Sequence, residues 1–237
     1  MSKKLIVLAV GAHPDDIEFL CAGTLARYTK AGHKVFVCHL CSGNRGHTEI
    51  PMNQLGRIRT QEARDAAKII GAEPLTTGFD DVDIYVEREA MLRCVDLVRQ
   101  VKPDVIITHS PDDYMPDHTA TSKLMMDASF IATVPLTVTE HEAHKKLAGV
   151  YYMDNMGGFH FEPTDYVDIS ETIEIKRQML LCHKSQEKWL REHDGINIIE
   201  FMETLSRFRG MQCGVAFAEG FRQAMDWGRV GTSRLLL

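Results

Sequence analysis

Two short segments of this 237-residue chain are dense in histidine and aspartate. The first holds His13, Asp15 and Asp16, and the second runs from residue 109 to 118 and ends on His118. A catalytic zinc ion takes three protein ligands from His and Asp or Glu and keeps one position for water. His13 and Asp16 would supply two ligands, and the adjacent Asp15 carboxylate would face the attacking water as a general base. This pattern predicts a metal-dependent hydrolase.

The third ligand has two candidates in the second segment. His118 is the better one, and His109 is the rival, because a histidine at the end of a strand more often hydrogen-bonds to a neighbouring loop. A purely structural explanation covers part of the first segment, since an aspartate commonly caps the helix that follows it. That explanation accounts for one of Asp15 and Asp16, but not for the pair together with His13.

The elements that must position these residues alternate along the chain. Apolar runs at residues 5–10 and 104–108 are typical of strands buried on both faces of a parallel sheet. Periodicity and turn residues complete the assignment. Strands are predicted at residues 5–10, 34–40, 73–77, 104–108, 150–153 and 166–169, and helices at residues 17–31, 55–70, 86–101, 119–131, 170–182 and 198–211.

This alternation predicts an α/β fold. We expect a Rossmann-like, open and mostly parallel sheet with helices on both faces. The pattern changes after about residue 147 without a linker, so we expect a single domain over residues 1–237 with a C-terminal elaboration. In such sheets, ligands bind beyond the carboxyl ends of the strands. Both segments rich in His and Asp directly follow predicted strands, so they should meet there.

The composition argues against several classes of protein. The formal net charge is −6, and basic residues form only short pairs, so no nucleic-acid partner is expected. No apolar run reaches the roughly 20 residues of a membrane span, and the run at residues 5–10 is soon interrupted by charge. We therefore expect no membrane partner and a cytoplasmic location. A G-x-G-x-x-G turn is absent after the first strand, which disfavours dinucleotide binding.

The same residues carry a family resemblance. Residues 12–16 (Ala-His-Pro-Asp-Asp) match the A-H-P-D-D motif of the PIG-L/LmbE-like family of zinc-dependent de-N-acetylases, which the chain resembles in motif order. Residues 115–118 (Met-Pro-Asp-His) align with the H-x-D-H block of that family. Weaker matches lie at residues 59–62, 167–170 and 183–186. Together the matches span most of the chain.

The resemblance implies a role for each matching residue. His13, Asp16 and His118 would hold Zn²⁺ or another divalent metal, and Asp15 would be the general base. Arg59 would contact the substrate, although a helical arginine three residues before a glutamate is more often part of a surface ion pair. In the loop after the second strand, Arg45 and His47 are further candidates for substrate binding.

One position departs from the family pattern. Met115 stands where the H-x-D-H block has its first histidine, which the family uses to stabilise the oxyanion or to donate a proton. A thioether does neither, and Asp117, which would orient that histidine, loses its usual partner. Loss of one oxyanion donor typically costs on the order of 10²–10³ in rate. Four other residues are candidates to replace the imidazole: His47, Arg45, His160 and His183.

The expected function is deacetylation of an N-acetyl amino sugar or a sugar conjugate by a metal-activated water. Two alternatives stay open. The first is a metal- or sugar-binding protein with weakened catalysis, which Met115 suggests. The second is a different metal-dependent hydrolase on the same scaffold, such as a phosphoesterase. The expected partner is a small N-acyl sugar-type molecule, and homo-oligomerisation is left open.

Overall fold

The computed structural model describes residues 4–229 and residue 236. Its centre is a sheet of seven strands. The strands are β1 (Ile6–Gly11), β2 (Lys34–Cys41), β3 (Glu73–Phe79), β4 (Val105–Thr108), β5 (Gly149–Met153), β6 (Asp165–Asp168) and β7 (Ala218–Gln223).

Helices connect most of these strands and pack on the sheet. They are α1 (Asp16–Leu20), α2 (Ala22–Lys30), α3 (Met52–Ile69), α4 (Arg88–Val101), α5 (Pro116–Ile131), α6 (Ile173–Leu180), α7 (Lys184–Trp189) and α8 (Ile198–Cys213), and one π-helical turn spans Leu190–Asp194. Among the residues that the structure describes, no helix is long and apolar enough to cross a membrane.

The strand order across the sheet is β3-β2-β1-β4-β5-β7-β6. Strands β1 to β5 pair in parallel, and β7 runs antiparallel to both β5 and β6. The predicted α/β class, with an open and mostly parallel sheet, is therefore confirmed. The antiparallel strands β6 and β7, together with α6 to α8, form the C-terminal elaboration.

 Burial on both faces of the sheet explains why the sequence of strand β1 is apolar throughout. Val7 and Ala9 belong to the hydrophobic core that α1, α2 and α8 cover, whereas Leu8 and Val10 belong to the core beneath α4 and α5. All four side chains are fully buried. Alternate residues of a strand point to opposite faces, so burial of both faces requires an unbroken apolar run.

The predicted helix over residues 17–31 is wrong in one respect, because it is interrupted at Cys21 and forms α1 and α2. The backbone N–H groups of Gly23 and Thr24, in the first turn of α2, donate to the two carboxylate oxygens of Glu219 at 2.9 and 2.8 Å. A carboxylate is stabilised at a helix N-terminus, where free N–H groups and the helix dipole favour negative charge. This long-range contact with β7 supports a second helix start that local sequence does not reveal.

Glu219 also forms a buried ion pair, and this gives a prediction for stability. Its carboxylate bonds the ammonium of Lys176 on α6, and both side chains are almost completely buried. Glu219→Gln leaves that ammonium buried without a counter-charge, which should lower the free energy of unfolding by about 3–5 kcal/mol. Urea denaturation followed by circular dichroism measures the change.

The matched control removes a carboxylate from an exposed pair. Asp127 and Lys123 pair on the surface of α5, so Asp127→Asn should cost no more than about 1 kcal/mol. Equal losses of stability in the two variants would contradict the structural role given to Glu219.

Candidate metal-dependent active site

The carboxyl ends of β1, β2 and β4 bring three loops together. These strands are neighbours in the sheet, and residues 12–15, 42–51 and 109–115 follow them. Gly11 closes β1, and a Cβ atom there would lie only 3.0 Å from the Cβ of Asp16. The absence of a side chain at this position lets the loop after β1 fold back tightly over the strand end.

His13, Asp16 and His118 converge at this edge. Their ligand atoms all lie within 4.8 Å of one another. Nδ1 of His13 is 3.7 Å from Oδ2 of Asp16, and Nε2 of His118 is 3.3 Å from Oδ1 of the same carboxylate. The backbone N–H of His13 also donates to Asp16 Oδ2 at 2.6 Å. The structure thus places these three predicted residues in one cluster, which we call the triad.

Each histidine of the triad is held by a carboxylate on its outer nitrogen. Nε2 of His13 lies 2.8 Å from Oδ2 of Asp117, and Nδ1 of His118 lies 3.0 Å from Oδ2 of Asp113. Histidines that bind metals commonly donate their second ring N–H to a carboxylate, which fixes the ring and its tautomer. Nε2 of His118 is buried and has no hydrogen-bond partner. These donors fit a divalent cation.

The electrostatics around the triad also suit a cation. Burial lowers the pKa of His118, but the carboxylates of Asp16 and Asp113 outweigh it and raise that pKa to about 10. At Asp16, burial alone would raise the carboxyl pKa. His118 and His109 outweigh this effect and hold that pKa well below its usual range. The centre therefore favours positive charge, which a proton on His118 supplies and which a metal would supply in its place.

His109, the rival ligand, packs directly against the triad. Its ring stacks on that of His118 with centroids 3.9 Å apart. Its Nε2 accepts the backbone N–H of Ala12 at 3.0 Å and lies 3.1 Å from Oδ2 of Asp16. Burial and the neighbouring His118 lower the pKa of His109 to about 4. The ring is thus neutral at pH 7, and its Nε2, which accepts from Ala12, has no proton to donate to Asp16. A ligand atom of His109 also lies within 4.8 Å of ligand atoms of Asp113 and His118.

Asp15 precedes α1 but does not cap it through its side chain. Its backbone φ is 114°, in the left-handed region that favours glycine. Oδ2 of Asp15 lies 3.2 Å from Nη2 of Arg59. Burial raises the pKa of Asp15, and Arg59 opposes that rise. The Asp15 side chain therefore does not cap α1, and its carboxylate contacts Arg59 instead.

Arg59 is buried on α3 and holds the loops that surround Asp15. Its guanidinium donates to the backbone carbonyl oxygens of Pro14 at 2.6 Å and Gly43 at 3.2 Å. A Cβ atom at Gly43 would lie 2.6 Å from Arg59 Nε, and Gly43 has a φ of +76°. The contacts of Arg59 therefore point to positioning of Asp15, and its burial excludes the surface ion pair weighed for it from sequence.

The two other candidates for substrate binding lie on the rim. Arg45 is exposed, and its guanidinium is 3.8 Å from Asp80 and 3.7 Å from Asp83. His47 is half-buried, and its Nδ1 accepts backbone N–H groups from residues 49 and 50. Its ring centroid lies 5.3 Å from that of Trp189. Both residues therefore lie in the loop after β2, outside the triad.

The structure separates the candidates for the missing imidazole. His183 is fully buried, with its Nε2 3.3 Å from a carboxylate oxygen of Glu18. It is close enough to Asp15 to lower the pKa of that carboxyl. His160 is exposed. Met115 immediately precedes α5, and Asp117, instead of orienting a residue at position 115, accepts from His13.

Sequence reasoning singled out His118 but missed its partner, Asp113. The only signal was its place in the segment already known to be rich in His and Asp. The segment contains three aspartates, Asp112, Asp113 and Asp117, and spacing alone does not say which carboxylate meets which histidine.

Together, the fold and the triad define a class of α/β proteins with a His-Asp-His cluster at the carboxyl edge of the sheet. Within that class, the chain belongs to the GlcNAc-PI de-N-acetylase (PIG-L) family, whose model matches residues 8–129, about half of the chain. The matched region contains the whole triad and Asp15, and it confirms the family resemblance seen in the sequence.

Individual relatives differ in their reactions. The diacetylchitobiose deacetylase of Thermococcus kodakarensis is 27% identical over 231 residues, which cover 91% of this chain and 82% of that protein. The 4-oxalmesaconate hydratase of Pseudomonas putida is 25% identical over 76% of this chain and 73% of its own length. Among solved structures, the 4-carboxy-2-hydroxymuconate hydratase of Pseudomonas putida has a TM-score of 0.83 at 22% identity, covering 98% of this chain and 100% of that one.

Proposed function

We propose that this chain is a metal-dependent deacetylase that acts on an N-acetyl amino sugar or a sugar conjugate. The observation that carries the proposal is the convergence of His13, Asp16 and His118 beside the carboxylate of Asp15, which does not cap α1 and is paired with Arg59. Membership of a de-N-acetylase family supports the reaction type. The proposed cofactor is Zn²⁺ or another divalent metal, held by the triad.

The proposed mechanism divides the work among a few residues. When bound, a divalent metal would lower the pKa of a water molecule and polarise the acetyl carbonyl. Asp15 takes the proton of the attacking water on its carboxylate and passes it to the leaving amine. Arg59 holds Asp15 through its Nη2. Asp117 and Asp113 keep the rings of His13 and His118 in place.

The surroundings of the triad favour a substrate without negative charge. Arg59, the cation next to Asp15, is already paired with it. The other carboxylates close to the triad are Asp81, Asp113 and Asp117. A polycarboxylate would meet repulsion from these groups, whereas an acetamido sugar would not. This charge pattern supports the proposal over a hydratase that acts on an anionic substrate.

Release of acetate tests the proposal directly. The zinc-loaded protein should release acetate from N-acetylglucosamine or its glycosides, and chelation of the metal should stop the reaction because the metal is the group proposed to polarise the carbonyl. A panel of N-acetyl hexosamines, an acetate assay and an assay for free amine measure the turnover. Failure of every N-acetyl substrate with metal-loaded protein would contradict the proposal and favour a binding protein or a different hydrolase.

A further inference from the structure

A groove of about 830 Å³ opens beside the triad, and the proposed mechanism does not use it. Its volume is within the range of small-molecule sites. Asp113, which bonds His118, lies in its wall, and the ring centroid of Tyr114 is 6.4 Å from that of His118. The groove therefore begins next to His118 of the triad. Its apolar surface comes from four side chains: Tyr114, Met156, Phe159 and Phe201.

Phe159 is the most exposed of these four residues, with 72% of its own surface accessible to solvent. Its backbone is nevertheless held on both sides by one residue. The side-chain oxygen of Asn155 accepts the N–H of Phe159 at 3.0 Å, and the side-chain amide of Asn155 donates to the carbonyl of Phe159 at 2.7 Å. An exposed aromatic ring on a fixed backbone binds a ligand at a small cost in conformational entropy.

The rest of the loop is shaped around that ring. A Cβ atom at Gly157 would lie 2.4 Å from the ring of Phe159, so the glycine makes room for it. His160 has a φ of 55°, a strained value for a histidine. Arg209 anchors the loop by bonding the buried carboxylate of Asp154 and the carbonyl of Phe161. Strain held by buried contacts is typical of ligand-binding loops.

The polar groups of the groove restrict what it can hold. The amide of Asn155 is already engaged by the loop backbone. The hydroxyl of Tyr114 makes only a weak contact with the sulfur of Met156, at 3.7 Å. Asp112 is exposed in the wall and pairs with Arg222 at 2.9 Å, while the carboxylate of Asp113 is buried against His118. No lysine or arginine is among the described residues that line the groove, so an anionic ligand finds no such partner there, whereas an apolar ring gains four apolar neighbours.

We propose that this groove binds an uncharged aryl aglycone carried by the amino sugar, so that the enzyme prefers aryl glycosides of N-acetylglucosamine to the free sugar. This inference rests on the proposed function for its link to catalysis, but binding in the groove can be measured without turnover. Aromatic stacking on Phe159 and burial beside Met156 supply the preference.

The first experiment compares kcat/KM of the zinc-loaded enzyme on three substrates: N-acetylglucosamine, phenyl N-acetyl-β-glucosaminide and its 4-carboxyphenyl analogue. The phenyl glycoside should exceed the other two by about tenfold, the effect of about 1.4 kcal/mol of stacking and burial. Phe159→Ala should remove that advantage, mostly through KM. Phe130→Ala is the matched control, since Phe130 is a half-exposed aromatic residue on α5 outside the groove.

The second experiment measures binding of phenyl β-glucopyranoside, which has no acetamide, by saturation-transfer NMR on the zinc-loaded protein. Transfer to the phenyl protons in the wild type, lost in Phe159→Ala and kept in Phe130→Ala, would support the groove even if no N-acetyl substrate turned over. Deacetylation with equal kcat/KM on all three substrates, or equal transfer in both variants, would overturn the groove and leave the proposed function standing.

Discussion

Asp15→Asn is expected to lower kcat on an N-acetyl sugar by about 10²–10⁴, the usual contribution of a positioned general base. The amide has almost the shape of the carboxylate but cannot accept the proton of the attacking water. Asparagine also tolerates the left-handed backbone at this position better than most residues, so the fold should persist. Metal content should be unchanged, because Asp15 lies outside the triad. Acetate release and elemental analysis measure the two quantities.

Two variants sharpen this test. Asp65→Asn removes an exposed carboxylate on α3 and should leave kcat and metal content unchanged. Asp16→Asn should lose metal as well as activity. Loss of metal in Asp15→Asn together with retention in Asp16→Asn would mean that the two aspartates have the opposite roles.

His118→Ala is expected to abolish stoichiometric metal binding. The wild type should hold about one zinc ion per chain after dialysis, as a site with three protein ligands does. Removing His118 leaves only His13 and Asp16 and frees Asp113 from its partner. The rise in Tm that zinc gives the wild type should disappear too, because it depends on binding to the folded state. Elemental analysis and thermal denaturation with and without zinc measure both effects.

His109→Ala is the matched control, since it removes a buried imidazole that stacks on His118. We expect it to keep the metal, with an affinity weakened by at most about 10–100-fold, as is usual for residues that support a ligand. Tight zinc binding by His118→Ala, together with loss in His109→Ala, would show that His109 is the third ligand.

The sequence was sufficient for the parts of the molecule that depend on local pattern. Two-sided burial of β1 and β4 is visible as apolar runs, and the parallel arrangement brings their carboxyl ends together. The loops that follow must then share one edge of the sheet, which is why His13 and His118 could be expected to meet. Helix and strand ends were less accurate, because they depend on contacts with distant residues.

The parts that escaped prediction depend on such contacts. The break between α1 and α2 involves Glu219, which is 196 residues from Gly23. Strand β7 was not predicted, because its sequence contains Glu219 and Arg222 and shows no apolar alternation. In the folded protein, Lys176 neutralises the buried carboxylate of Glu219. The alternative of a surface ion pair at Arg59 was wrong, because helical spacing gives the direction of a side chain but not its depth.

The left-handed backbone of Asp15 implies a conflict between folding and catalysis. At a φ of 114° a glycine would be relaxed, whereas any residue with a Cβ atom stores strain of about 1–3 kcal/mol. Selection for thermostability alone would therefore favour glycine at position 15, and with it the loss of the carboxylate. If Asp15 is the base, retention of aspartate there means that this segment trades stability for activity. Stabilising substitutions should accordingly be sought elsewhere in the fold.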